Sequence, residues 1–523
     1  MKRTRRRALS ILLSAAMVLS LSCVGAFAAD TTLVITDVTT DKTTTTSAAT
    51  HVTAVTYTEN GEEKTVTAAA DEVLTLVVNG VQRDIAAGAT FTGVESYSFT
   101  DTAVRNSGSG APPWEPGATP AEFNFRQALL VTAGGIDQDA SVTDAISGTY
   151  DDTSAKDVAV TSEGDFFNGI YVSGAQYAID GLKMSLKGDG GNDFGGWGAG
   201  LMADGEADVT VDNAVIDTAG VIRTAIWAGG DADLTVTNSV ISAYESLSSQ
   251  EEYDALVVPM MKRTPFALGM EGVVRATNVL GSATATYEDS IVVSSGWGAL
   301  STDSGTGHDT TGEYALTVRN TLGGIGTVEV AQKGKDYTLT KEVNGVTYGF
   351  TMGGSGYVAY ADAGVWDKFE NVQFYTPDYV QIMASSTSSA FYTDSDLHSG
   401  RIAFMTQQNA GGTLSVKDSS VYAEDTVVQI KSGAANKGYT NVEFDNVDVT
   451  LGDTNPWGGT LIELVESDDA GNPGVTTYTV NDTGDTATRA TSRGDINDSN
   501  ATLRNGIVKY CVEKDKDCYF VPH

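Results

Sequence analysis

The feature that most constrains this chain is an internal repeat. Residues 201–217 read LMADGEADVTVDNAVID and residues 226–242 read IWAGGDADLTVTNSVIS, an offset of 25. Leu201 aligns with Ile226, Gly205 with Gly230, Ala207-Asp208 with Ala232-Asp233, Asn213 with Asn238, and Val215-Ile216 with Val240-Ile241. The shared pattern is apolar-Thr-apolar-x-Asn/Asp, then a small residue, then a second aliphatic stretch. It returns as Leu316-Thr317-Val318-Arg319-Asn320 and as Leu414-Ser415-Val416-Lys417-Asp418, more loosely at Phe369-Glu370-Asn371 and Val442-Glu443-Phe444-Asp445-Asn446, and for the last clear time at Asp495-Ile496-Asn497-Asp498-Ser499. A fixed period of this length marks a repeat architecture in which each unit buries its apolar face only against its neighbours.

Alternation over three to five residues gives a short strand with one face buried. Asn or Asp at its end tolerates the left-handed backbone conformation and turns the chain sharply. Two or three such strands per 20–25 residues, joined by corners without hairpin chemistry, form one rung of a coil. Stacked rungs pair in parallel about 4.8 Å apart. The chain is therefore expected to be all-β, with Thr, Val, Ile and Asn in files along the stack.

This pattern resembles the right-handed parallel β-helix of the pectate-lyase-like superfamily, over roughly residues 155–508. The resemblance implies a fold, not a reaction. Lyases of that kind use calcium-binding carboxylates with an Arg or Lys base, and hydrolases of the polygalacturonase kind use Asp clusters with Gly-His-Gly and Arg-x-Lys. Here Gly307-His308-Asp309 matches only part of the former motif and Arg401-Ile402-Ala403 lacks the Lys. No pair of catalytic acids is assignable from spacing. Asp495-Ile496-Asn497-Asp498 does not continue as a calcium loop, since Ser499 and Gly506 stand where ligands belong. Weak calcium ions between turns remain the only cofactor expectation, because four scattered His offer no transition-metal site.

Outside the repeat, the chain divides further. Lys2, Arg3, Arg5, Arg6 and Arg7 precede an apolar run from Ala8 to Val24, and Ala26-Phe27-Ala28 fits a small-x-small cleavage pattern. Residues 1–28 thus read as a secretion signal, for a secreted or cell-surface protein. Loss of those five basic residues takes the formal net charge from −36 to −41. So acidic a chain lacks the basic footprint of a nucleic-acid binder, and no later apolar run is long enough to span a membrane. Asn60-Gly61 and Asn79-Gly80 are hairpin signals, so residues 29–105 are expected to form a small antiparallel β module. Residues 106–154 lead into the helix. Insertions interrupt it near 246–270, with a short-helix pattern at Gln250–Leu256, and near 335–352, with a hairpin signal at Asn344-Gly345. Residues 509–523 change composition and hold Cys511 and Cys518; they are expected to be either an atypical tail or, with the two Cys closing one small loop, the cap of an open stack.

Gly196-Trp197-Gly198-Ala199 recurs as Gly296-Trp297-Gly298-Ala299, four 25-residue periods on. A Trp among glycines reads first as a buried ring and second as a sugar platform. Basic residues are scarce, so Lys262, Arg263 and Arg275 stand out as contacts for an anionic sugar, with Trp297, Asp303, His308 and Asp309 close by in sequence. The sequence thus points to a β-helix protein that binds a polysaccharide or a host or cell-surface ligand, structural or adhesin-like and without catalysis. The alternative is a polysaccharide lyase or glycoside hydrolase acting on an acidic polysaccharide in a groove of the helix.

Overall fold

A computed structural model describes residues 31–41, 51–70, 72–103, 105–107, 123–191, 193–246, 272–303, 313–385, 388–408, 412–431, 440–452, 459–465, 479–480, 494–497, 506–513 and 516–522. The leader, the 250–256 helix pattern, and Lys262, Arg263, His308 and Asp309 lie outside the described residues. No helix among the described residues is long and apolar enough to cross a membrane.

The chain is a right-handed parallel β-helix preceded by a small antiparallel module. Each full rung supplies three strands. One rung is Leu201–Asp204, Asp208–Asp212 and Val215–Gly220, and the next is Ile226–Ala228, Asp233–Thr237 and Val240–Glu245. Leu201 pairs in parallel with Ile226, Val209 with Leu234 and Ile216 with Ile241, the 25-residue register of the repeat. The first file of strands begins at Phe123–Thr132, which pairs in parallel with Phe167–Ser173, and runs on to Gly459–Val465 and Gly506–Glu513. Lys516–Pro522 then closes that sheet antiparallel, with Cys511 and Cys518 opposite each other.

The corner between the second and third files explains the Asn/Asp signature. Asn213, Asn238, Asp289, Asn320, Asn371, Asp394, Asp418 and Asn446 all have φ between +48° and +56°. Short polar side chains enter that region at least cost. The next residue repeats a second device. Ser239 Oγ accepts from Ala214 N–H at 3.0 Å and donates to Thr237 O at 2.6 Å, and Ser395 and Ser419 repeat both roles on two adjacent rungs. The bend thus leaves few backbone amides unpaired.

The lumen is apolar. One inward file runs Val209, Leu234, Ala285, Leu316, Asp367, Ala390, Leu414 and Val442. Asp367 alone breaks it. Its carboxyl is sealed from solvent, accepts one bond from Thr302 Oγ1 at 2.9 Å and has its other oxygen unmatched. Burial drives its pKa well above the ordinary carboxylate value, which favours the neutral acid.

In the amino-terminal module, strands Leu33–Asp41, His51–Glu59, Glu62–Thr67 and Thr90–Phe91 form one antiparallel sheet. Glu72–Val78 pairs with Val81–Arg83 and Tyr97–Ala103. Tyr57, Leu74, Leu76, Tyr97 and Phe99 fill the core between these layers. Both Asn-Gly turns carry φ near +50° at Asn and above +70° at Gly, as a type I′ turn requires. The Asn344-Gly345 turn does the same, joining Leu339–Val343 to Val346–Met352 in a hairpin that packs along the corner, where Asn344 Nδ2 bonds Asn238 O at 2.8 Å.

Candidate active site

The outer face of the first file is where the structure gathers chemistry. Three successive strands, Arg275–Leu280, Gly296–Asp303 and Ser355–Asp362, lie side by side in parallel. Their pairing sets Asn278, Ser301 and Tyr360 in one outward file, and Leu280, Asp303 and Asp362 in the next. The intervening inward positions, Val279, Thr302 and Ala361, are buried. Asp303 and Asp362 therefore stand on adjacent strands, facing the same way, at the carboxyl ends of both.

The two carboxyls differ in surroundings. Asp362 is held as an acceptor on both oxygens, Oδ2 from Tyr360 Oη–H at 2.7 Å and Oδ1 from Ala363 N–H at 2.6 Å. For Asp303, burial pushes the carboxyl up to about 7, with repulsion from Asp362 and a smaller share from Asp193 adding to it, while Arg275 pulls the other way. The two neighbouring carboxyls thus sit in unlike surroundings, Asp303 raised by burial and Asp362 fixed by two donors.

Beside the pair is a closed network. The Arg275 guanidinium is ion-paired with Asp193, donates from Nε to Tyr357 Oη at 3.1 Å, and lies 5.4 Å from the Phe194 ring centre and 5.5 Å from that of Trp297. Burial works against its charge, but Asp193 and Tyr357 outweigh it and raise its pKa. Tyr357 in turn shares a 2.8 Å bond with Ser301, and Asn278 Nδ2 bonds Asp193 O at 2.8 Å. The Asp193 loop is thereby pinned across the strand Arg275–Leu280.

This geometry places the three described residues that the sequence singled out. Asp303 reaches the surface beside a second acid. Arg275 is 5% exposed and committed to Asp193, so it offers no free charge to an anionic sugar. Trp297 is 3% exposed with a cation over its ring, so it presents no open platform. Its φ of +69°, strained for a bulky residue, fits a ring fixed by its surroundings. Trp197 is likewise sealed.

Sequence reasoning missed Asp362, Asp193, Tyr357 and Tyr360. The signal for Asp362 was the strand-final Asp shared by Leu-Met-Ala-Asp204, Leu-Ser-Thr-Asp303 and Ala-Tyr-Ala-Asp362. Insertions between the second and third of these hid the register. It also missed Arg223, which is fully buried and spends its guanidinium on five backbone carbonyls: Gly188, Phe167, Gly198, Gly164 and Asp189, at 2.5–3.1 Å. Among the described residues no group of three or more His, Cys, Asp or Glu is placed to hold a metal ion.

No family model and no curated protein matches the chain. Among solved structures it aligns with the catalytic domain of GH87 α-1,3-glucanase, in complex with tetrasaccharides at 10% identity and a TM-score of 0.20, and in complex with nigerose at 9% and 0.18. Each alignment covers 83% of this chain and 88% of the other. Scores of this size carry neither fold nor chemistry across.

Proposed function

We propose that the protein is an exported glycoside hydrolase that cleaves a polysaccharide at the Asp303–Asp362 pair. The observation that carries this reading is the pair itself: two outward carboxyls in register on adjacent strands, one raised to about 7 and the other held as an acceptor on both oxygens. Hydrolysis of a glycosidic bond needs one carboxyl protonated, to hand a proton to the leaving oxygen, and one carboxylate to assist attack at the sugar carbon. Asp303 supplies the acid below about pH 7. Asp362 supplies the carboxylate, positioned by Tyr360 and the Ala363 amide. The buried Asp193–Arg275–Tyr357–Ser301 network holds the floor rigid, which keeps the acid and the base in place.

The sequence alone favoured a binding protein without catalysis because it showed no paired acids; the pair reverses that preference. The secretion signal expected over residues 1–28 supports a reaction outside the cytoplasm. The test is to incubate the pure protein with a polysaccharide panel, reading new reducing ends and, separately, unsaturated ends. Hydrolysis predicts reducing ends alone, abolished by Asp303→Asn and by Asp362→Asn. Unsaturated products would assign a lyase instead, and binding without products would return the reading to a lectin-like or adhesin-like role.

A further inference from the structure

A second surface lies on a different side of the coil, on the second file of strands. There the outward positions are short and polar over four rungs: Thr210, Thr235, Thr286 and Thr317 follow one another in register, exposed or half-exposed. The same file then continues with Lys368 and Phe391. At that point three large rings gather. Tyr314, Trp366 and Phe391 are all half-exposed, with ring centres 5.8–6.4 Å apart, tilted or edge-on. Lys368 Nζ lies 5.8 Å from the Tyr314 ring centre.

The formal charges here cancel, two acids (Glu288 and Glu370) against two bases (Arg319 and Lys368), with Glu288, Arg319 and Glu370 following one another in register. Glu370 is bonded by Arg319 Nε at 2.8 Å and by Lys368 Nζ at 2.7 Å, and both cations lower its pKa. So the patch offers apolar rings, satisfied ions and a hydroxyl on each successive rung, and no net charge to select a charged partner. An outward face built for solubility alone would have no use for three packed rings. We infer that Tyr314, Trp366 and Phe391 form a binding surface for a neutral polysaccharide strand lying along the helix axis, separate from the acid pair. Sugar rings set their C–H faces against aromatic rings, and their hydroxyls meet the Thr file. One polymer repeat after another then meets one rung after another.

The test is sedimentation of the full chain with insoluble polymers: cellulose, chitin, starch granules and, as the charged control, a calcium pectate gel. The wild type is expected to sediment with at least one neutral polymer, with binding unchanged by 0.5 M salt. Trp366→Ala and Phe391→Ala should weaken that binding at least tenfold while the thermal midpoint holds. Trp366→Phe, which keeps a ring, should restore most of it, and Asp303→Asn should bind as the wild type does. Sedimentation with no polymer, binding to pectate alone, equal binding by the Ala variants, or loss of binding in Asp303→Asn would each overturn the assignment. The first three outcomes leave the hydrolase reading untouched, because that is judged on soluble oligosaccharides.

Discussion

Replacing Asp303 by Asn should make the protein more stable and inactive at once. In the folded chain the Asp303 carboxyl titrates near 7, against 3.8 for the unperturbed group. Between those values the unfolded chain has released the proton and the folded chain still holds it. Stability therefore falls as pH rises from about 4 to about 7, then levels off. Taken at face value the loss is about 4 kcal/mol. Asp303 is half-exposed, and solvent screening brings the expectation to about 2–4 kcal/mol. Asn carries no charge and removes that slope. Urea unfolding at pH 4, 6 and 8 should show variant and wild type within about 0.5 kcal/mol at pH 4, with the variant ahead by about 2–4 kcal/mol at pH 8. Hydrolysis should drop about 10²–10⁴-fold, the usual worth of a general acid. In the wild type, activity should fall as pH rises through 7. A stability difference that stays constant from pH 4 to 8 would refute the raised Asp303 carboxyl that burial and, next, Asp362 produce. A stabilised variant with full activity would refute the catalytic role while leaving the electrostatics intact.

Three further outcomes are expected. Asp367→Asn keeps the acceptor for Thr302 and should remove another part of the same downward slope, so the variant gains on the wild type as pH rises above the carboxylate range; identical pH–stability curves would contradict a neutral Asp367. Arg223→Met leaves five buried carbonyls short of a donor and should cost about 3–5 kcal/mol in urea unfolding, and a loss under 1 kcal/mol would mean that water replaces the guanidinium. At the corner, Asn238→Ala should cost about 1–2 kcal/mol and Asn238→Gly less, since φ is +48° there; equal costs would show that the bond to Asp212, which neither variant keeps, matters more than backbone strain.

How far a residue's role was legible depended on how local its cause was. Asn238 announces its corner because a left-handed φ and a short polar side chain are coupled within one residue. Asn79-Gly80 and Asn344-Gly345 announce hairpins for the same reason. Asp367 was not legible, because Trp366-Asp367-Lys368-Phe369-Glu370 reads as a strand whose polar residues face out, and only the register of Leu316 with Asp367 turns the acid inward. Trp297 and Arg275 were legible as unusual residues, but Arg275 is bound to Asp193, 82 residues earlier in the chain, and Trp297 packs with Val221, Ile222 and Tyr357 from other rungs.

The sequence by itself determined the rung. Its period, its alternating strands and its Asn corners follow from steric and hydrophobic rules that act over a few residues and repeat along the chain. Tertiary structure alone decided which acids meet. Asp303 and Asp362 are 59 positions apart in sequence and adjacent in space, because parallel pairing ignores whatever lies between two rungs. That same pairing lifts the Asp303 carboxyl, buries Arg275 against Asp193 and brings Trp366 beside Phe391. Proximity across a coil is set by register, and an insertion changes the sequence distance without changing the register.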